Sequence, residues 1–449
     1  MARSLESKRL RVYAAWAVLL AGSLALTGCM GSGRTAQRKP GRAPAVQVEP
    51  AYEADIPPSD VPQAPAPGYG GPAYAAAPSS APLDAPVPAY AAAPGATSGA
   101  TLGNGPVRVA LLLPLSAAGQ GSVAAQSLRN AAELALGESQ SRELTILVKD
   151  DRGTPEGAQA AASQALAEGA ELIIGPLFAG SVGAAGGVAR QTGKPVIAFS
   201  TDTSVATRGV YLLSFLVQAE VDRIVSFAAA QGRRSVAALI PDTTYGRVAE
   251  AQLQQAAAEQ GLRVVAVERY PAGQPQAAVQ RLGRAIGGAA PGADALFIPE
   301  NGDGLPLVAQ ALQGVGFNPE RVKPLGTGVW NEARVFGLPA LQGAWFAAPD
   351  NRGFAGFAAR YRARFNTDPI RLATLSYDAV TLAAALARIG GAQHFTPDAL
   401  TNPAGFAGAD GVFRFNPNGT NDRALAVQEI RNGAAATISG APRTLVAGN

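Results

Sequence analysis

The chain carries two kinds of apolar pattern in alternation. Short continuous runs, at 107–113, 144–148, 172–174 and 195–199, read as strands buried on both faces. Between them apolar residues recur three and four apart. Val123, Leu128, Ala131, Leu134 and Ala135 form one such stripe and predict a helix over about 120–136. Thr154 before Pro155 supplies an N-cap and a proline at the first helical position, and that helix stops at Gly169. Gly175-Pro176 turns the third run into a small-residue helix ending near Gln191, and 210–213 closes the block.

The pattern then restarts. Helices are predicted over 220–231, to Gln260, over 275–286 and over 305–313. Strands are predicted over 235–240, 262–267, 295–298, 322–325 and 344–346. Two more helices follow, at 354–364 and 373–389. The turn Asn416-Pro417-Asn418-Gly419 predicts a hairpin joining 411–415 to 424–430. Strand–helix alternation in two similar blocks predicts the α/β class, with two doubly wound parallel-sheet lobes and an inter-lobe cleft. One lobe reads as about 105–216 with 350–405, the other as about 217–349 with 406–445. Ligands of such sheets bind beyond the strand C-termini, where helix N-termini present free N–H groups.

Composition changes the picture at the N-terminus. Residues 29–104 are rich in Ala, Pro and Gly and contain the near-repeat Ala73–Pro78 and Ala89–Pro94. Such a stretch cannot bury a core and reads as a disordered linker, about 200 Å long if fully extended. It serves either as a plain spacer or as a tether that lets an anchored domain work deep in the periplasm. Charge adds little. The net +4 is the +3 of residues 1–28 and the +3 of 29–50, set against −2 for the rest, so nothing favours a nucleic-acid partner. One cysteine, Cys29, and one histidine, His394, exclude an intramolecular disulfide framework and a cysteine-rich zinc site. There is no phosphate-binding glycine motif, and His394 in a polar loop builds no triad, so an enzyme, a cofactor or a metal is not expected.

Residues 1–28 have a basic start (Arg3, Lys8, Arg9, Arg11) and an apolar stretch over 12–26, the pattern of a signal peptide. A single transmembrane helix is the alternative. Leu26-Thr27-Gly28-Cys29 resembles the lipobox of bacterial lipoproteins, which implies cleavage before Cys29 and a membrane anchor through lipid on it. By the same resemblance, Met30 after the cysteine implies the periplasmic face of a Gram-negative outer membrane.

From about Pro106 to Asn432 a wider resemblance runs in register. It is carried by Leu113-Pro114-Leu115-Ser116, Lys149-Asp150-Asp151, Ile174-Gly175-Pro176, Pro195-Val196-Ile197-Ala198, Pro241 to Arg247, Ser376-Tyr377-Asp378-Ala379 and Gly411 to Gly419. The chain resembles type I periplasmic binding proteins of the branched-chain amino-acid branch, which implies two lobes closing on a ligand. Gly175-Pro176-Leu177-Phe178, Pro195 to Ser200 and the lipobox make it similar in particular to lipoprotein activators of class A penicillin-binding proteins, the LpoA type. The helical-repeat domain of the enterobacterial activators has only the linker in its place.

The resemblance places the ligand candidates. In the first lobe they are Ser116, Phe178, Ala179, Gly180, Ser181, Ser200, Thr201 and Asp202; in the second they are Tyr245, Glu300 and Asp303. Ala179 stands where the family has a hydroxyl, Phe178 is bulky, Asp202 would repel a carboxylate, and the loop Gly326–Trp330 lacks an acid for a ligand amine. Each hydroxyl or acid has a plainer reading as a cap or turn former. Two functions follow. The leading one is an outer-membrane lipoprotein that activates a class A penicillin-binding protein in cell-wall synthesis. The alternative is a lipid-anchored receptor of an ABC permease for an amino acid, amide or related small solute.

Overall fold

The computed structural model describes residues 100–389 and 393–445. Cys29, the signal peptide and nearly all of the linker therefore lie outside the described residues. In chain order the first half contains β1 (Thr101–Gly103), β2 (Val107–Leu113), α1 (Gln120–Ser139), β3 (Leu144–Asp150), α2 (Pro155–Ala167), β4 (Leu172–Ile174), α3 (Ala179–Gln191), β5 (Val196–Ala198) and β6 (Val210–Leu212). Then come α4 (Val217–Ala230), β7 (Ser235–Pro241), α5 (Thr244–Gln260), β8 (Arg263–Tyr270), α6 (Gln276–Ile286), β9 (Ala295–Phe297), α7 (Leu305–Gln313), β10 (Lys323–Gly326), α8 (Ala333–Phe336) and β11 (Trp345–Ala348). The last part holds α9 (Asn351–Phe365), α10 (Ala373–Ile389), α11 (Pro397–Leu400), β12 (Phe406–Gly408), β13 (Gly411–Phe415), β14 (Asn421–Arg423), β15 (Ala426–Arg431) and β16 (Ala434–Ser439).

Two main sheets result. The first has the order β1-β3-β2-β4-β5-β6, parallel except for β1, which runs antiparallel to β3. The second has the order β16-β15-β11-β10-β9-β7-β8, with β15 and β16 antiparallel at one edge. The apolar runs are strands with both faces covered, as the pattern predicts. In β2, Val109, Leu111 and Leu113 face one core, shared with α1 and α10, while Ala110 and Leu112 face another, shared with α2 and α3. In β7, Ala237 and Leu239 face the α6–α7 side, and Val236, Ala238 and Ile240 face α4 and α5. This is the α/β architecture that the pattern of the chain predicts.

Three differences have physical causes. β1 sits inside the stretch read as linker; its Thr-Leu-Gly is too short to carry a period, and pairing with β3 defines it. The hairpin after β13 closes on β14, not on 424–430. Its turn is docked on the first sheet: Leu212 N–H donates to Gly419 O at 2.7 Å, and a Cβ at Gly419 would come within 2.3 Å of Val210 O. Phe413 and Phe415 are buried in the first sheet's core, so β12–β14 stay with that lobe. The chain then leaves for the second sheet at 424–425, where β15 pairs with β11, instead of near 406. The two lobes are thus joined at 213–216, 349–350 and 424–425.

Trp330 is core: it is fully buried and its indole N–H donates to Glu300 O at 3.1 Å. Trp345 packs edge-on to Phe227, with Lys323 Nζ 5.0 Å from its ring. No described helix is long and apolar enough to cross a membrane.

Candidate functional site

The first-lobe candidates gather at the C-terminal edge of the first sheet. β4 is followed by Gly175, whose φ of 87° and close approach to Leu112 O (2.1 Å for an added Cβ) admit only glycine. Three residues on, Phe178 takes an extended conformation as the N-cap of α3. No side chain caps this helix and its first turn has no acid. Its leading N–H groups therefore have no capping side chain, and the positive end of its dipole favours an anion there.

Phe178 is half-buried, and its ring lies 3.1 Å from where a Cβ of Gly153 would stand and 3.5 Å from that of Gly121. It fills the space between the loop after β3 and the start of α1. Ala179 is buried at the first position of α3, and Gly180 lies against Pro155 of α2. Ser181, third in the helix and 1 % exposed, has a hydroxyl with no hydrogen-bond partner among the described residues.

The other first-lobe candidates are engaged in turns. Ser116 N–H donates to Asp150 Oδ1 at 3.2 Å, and Arg152 N–H donates to the same oxygen at 2.9 Å. Ser200 Oγ accepts from Asp202 N–H at 3.1 Å. Asp202 in turn accepts from Ser204 N–H at 2.9 Å and caps a short 3-10 turn. Thr201 is exposed. Beneath them Asp151 is fully buried and accepts from Gly153 N–H at 2.8 Å; burial pushes its carboxyl up to about 7.

On the second lobe each candidate is bonded to a neighbouring residue. The Tyr245 and Thr327 hydroxyls are 2.7 Å apart. Tyr270 donates to Glu300 Oε2 at 2.5 Å, and Asn301 N–H donates to Glu300 Oε1 at 2.8 Å. Burial raises the Glu300 carboxyl above its ordinary range, partly opposed by the Tyr270 bond. Asp303 is exposed and pairs with Arg334. Sequence reasoning missed Glu220, in the first turn of α4. Its Oε2 accepts from Gly328 N–H at 2.9 Å, so the loop that lacks its own acid receives one from a helix 108 residues earlier. Burial pushes Glu220 up to about 8, with the Gly328 bond and the charge of Arg371 acting in the opposite sense. A single acid in a first helical turn reads as a dipole partner, so sequence offered no signal for this contact.

The structure thus places Ser116, Phe178 to Ser181 and Ser200 to Asp202 at one sheet edge, and in the second lobe Tyr245 in the first turn of α5 and Glu300 and Asp303 on the loop after β9. Among the described residues no three His, Cys, Asp or Glu side chains gather as metal ligands. The arrangement can hold a negative group at α3, and its acids are already taken up by backbone N–H groups, Tyr270 or Arg334.

Comparison with known proteins agrees with this geometry. No curated protein matches the chain. A protein described as a branched-chain amino acid ABC transporter from Rhodospirillum rubrum superposes with a TM-score of 0.66 at 20% identity, covering 74% of this chain and 99% of that one. The branched-chain amino acid transporter substrate-binding protein LivJ from Streptococcus pneumoniae, in complex with isoleucine, gives 0.53 at 18% identity, covering 75% and 99%. A solute-binding protein of an ABC transporter from R. palustris, in complex with benzoate, gives 0.54 at 17% identity, covering 76% and 98%. At these identities the likeness is one of fold. The model of the periplasmic binding protein family matches residues 106–435, and with two sheets in this order the chain belongs to that family, in its type I form.

Proposed function

We propose that this chain is a lipid-anchored solute-binding protein of the periplasm, whose cleft takes a small solute bearing a carboxylate. It hands that solute to an ABC permease and has no catalytic role. The observation that carries the reading is α3: an uncapped helix start at the first sheet's C-terminal edge, with the unbonded hydroxyl of Ser181 in its first turn. A helix N-terminus favours an anionic group through its free N–H groups and dipole. Isoleucine and benzoate, bound by two proteins of this fold, both carry a carboxylate. The ring of Phe178 restricts the room beside α3, which favours a small ligand. The anchor is the lipid on Cys29, and the residues up to about 100 are the tether.

A thermal-shift screen of the full chain against amino acids, amides and simple carboxylates tests this. Ligand at about 100 times its Kd stabilises by about 2.7 kcal/mol, a clear rise in Tm. A panel that leaves Tm unchanged at millimolar concentration contradicts the reading.

A second reading is supported by the same ring. Phe178 fills space where a ligand would lie, and Ala179 offers no hydroxyl. Together with Leu26-Thr27-Gly28-Cys29-Met30 and the long linker, this fits an outer-membrane lipoprotein that activates a class A penicillin-binding protein. Affinity capture from solubilised envelopes separates the two readings. A penicillin-binding protein in the eluate supports the second, and a permease supports the first.

A further inference from the structure

Five side chains stack where the chain passes between the lobes. Phe215 lies in the first crossing, and Phe354 lies in the first turn of α9, just past the second. Arg423 is the last residue of β14, just before the third. The guanidinium carbon of Arg371 is 4.6 Å from the Phe354 ring centre and 4.9 Å from that of Phe215. The guanidinium carbon of Arg423 is 4.9 Å from the Phe215 centre and 5.5 Å from that of Phe413. The order is Phe354, Arg371, Phe215, Arg423, Phe413, aromatic and cation in alternation; it enters the first connection at Phe215 and lies beside the other two.

The two arginines are held differently. Arg371 makes a two-pronged pair with Asp410, both bonds at 2.7 Å, and Asp410 is itself buried and bonded by Thr374. This anchors Arg371 to the first lobe. Arg423 is 6 % exposed, and none of its three guanidinium nitrogens has a hydrogen-bond partner among the described residues. Asp378 Oδ2 is likewise buried and unbonded, its other oxygen accepting from Ala409 N–H at 2.6 Å. Ring faces and the fields of Asp378 and Asp410 are what hold Arg423. A buried cation without hydrogen bonds contributes little as core packing, and desolvation opposes what it gains from the two carboxylates. Its place at a crossing gives it another use.

We infer that the alternating stack is the latch of the hinge: it holds the two lobes at one angle, and sliding the Phe215 ring off either guanidinium lets them rotate. Rotation between lobes is taken up by a few residues in the connections, and Phe215 is in one of them. The latch thereby sets how often the cleft is open. Only this consequence for ligand affinity rests on the solute-binding reading; the lobe angle itself does not.

The test measures the angle without ligand. The full chain carries Cys29→Ser with spin labels at Gln159→Cys on α2 and Gln280→Cys on α6, both exposed positions. The inter-lobe distance distribution is read by double electron–electron resonance, with Tm recorded alongside. Phe215→Leu keeps apolar bulk and removes the ring. Arg423→Met keeps the stem and removes the buried charge, and its Tm shows whether the variant is folded at the temperature of the measurement. The latch predicts that both variants move or broaden the distribution. A folded Arg423→Met chain with the wild-type distribution overturns it, whether or not Phe215→Leu folds. An unchanged distribution in folded Phe215→Leu does the same.

Discussion

Phe178 is the residue on which the character of the cleft turns. Its ring rests where Gly121 and Gly153 leave space, so removing it opens room beside α3. Phe178→Ala should lower stability by about 2 kcal/mol, less than a fully buried Phe because the ring is only half-buried. Joined with Ala179→Ser, which restores a hydroxyl, it should create or strengthen amino-acid binding, measurable as a new Tm rise. Glu220 gives a second residue-scale prediction. Its carboxyl titrates at about 8 when folded and near 4.5 as a free side chain. Between those values the unfolded chain releases a proton that the folded chain keeps, so stability falls as pH rises through that window. The slope is at most about 1.4 kcal/mol per pH unit for one group. Asp151 and Asp378, both at about 7, act in the same direction. Urea midpoints at pH 5 and pH 8 should drop less in Glu220→Gln than in the wild type; an equal drop would mean that Glu220 does not keep its proton.

At the scale of elements, most of the molecule was legible. The runs at 107–113, 144–148 and 172–174 are strands because an unbroken apolar run fits a sheet covered on both faces, and Thr154-Pro155 does start a helix, with the Thr154 hydroxyl accepting from Gly157 N–H. What escaped were contacts between distant parts of the chain. Asn416–Gly419 announced a turn, but only the docking of Gly419 on β6 shortens its second strand to Asn421–Arg423. Likewise Ser200 and Asp202 had two readings from sequence, and their bonds to neighbouring N–H groups make them turn formers. The docked turn is itself testable. Gly419→Ala forces a Cβ into Val210 O and Thr207, where φ is also 91°, and should cost about 2 kcal/mol or more. Hydrogen exchange at Leu212, whose N–H donates to Gly419 O, should accelerate; unaltered protection there would show that the turn does not hold β6.

For the whole molecule, an anchor and a tether are proposed in front of the two-lobed domain of residues 106–435. The family and fold bear on the domain, while the anchor rests on Leu26-Thr27-Gly28-Cys29. Cys29→Ser should move the protein from the membrane to the soluble fraction of the envelope. Retention in the membrane would point to the apolar stretch at 12–26 as the anchor instead.

The central claim is that α3 receives the ligand's carboxylate, and Ala179→Pro addresses it directly. Proline is favoured at the first position of a helix, and the extended Phe178 before it suits that substitution. The variant should fold with an unchanged Tm while losing one N–H from the proposed cradle. Calorimetric titration of both proteins with amino acids and simple carboxylates is the measurement. The account predicts saturable binding to the wild type, weakened at least about tenfold in Ala179→Pro, the worth of one charge-assisted hydrogen bond. Equal affinities, or a wild type that binds none of them, would contradict it.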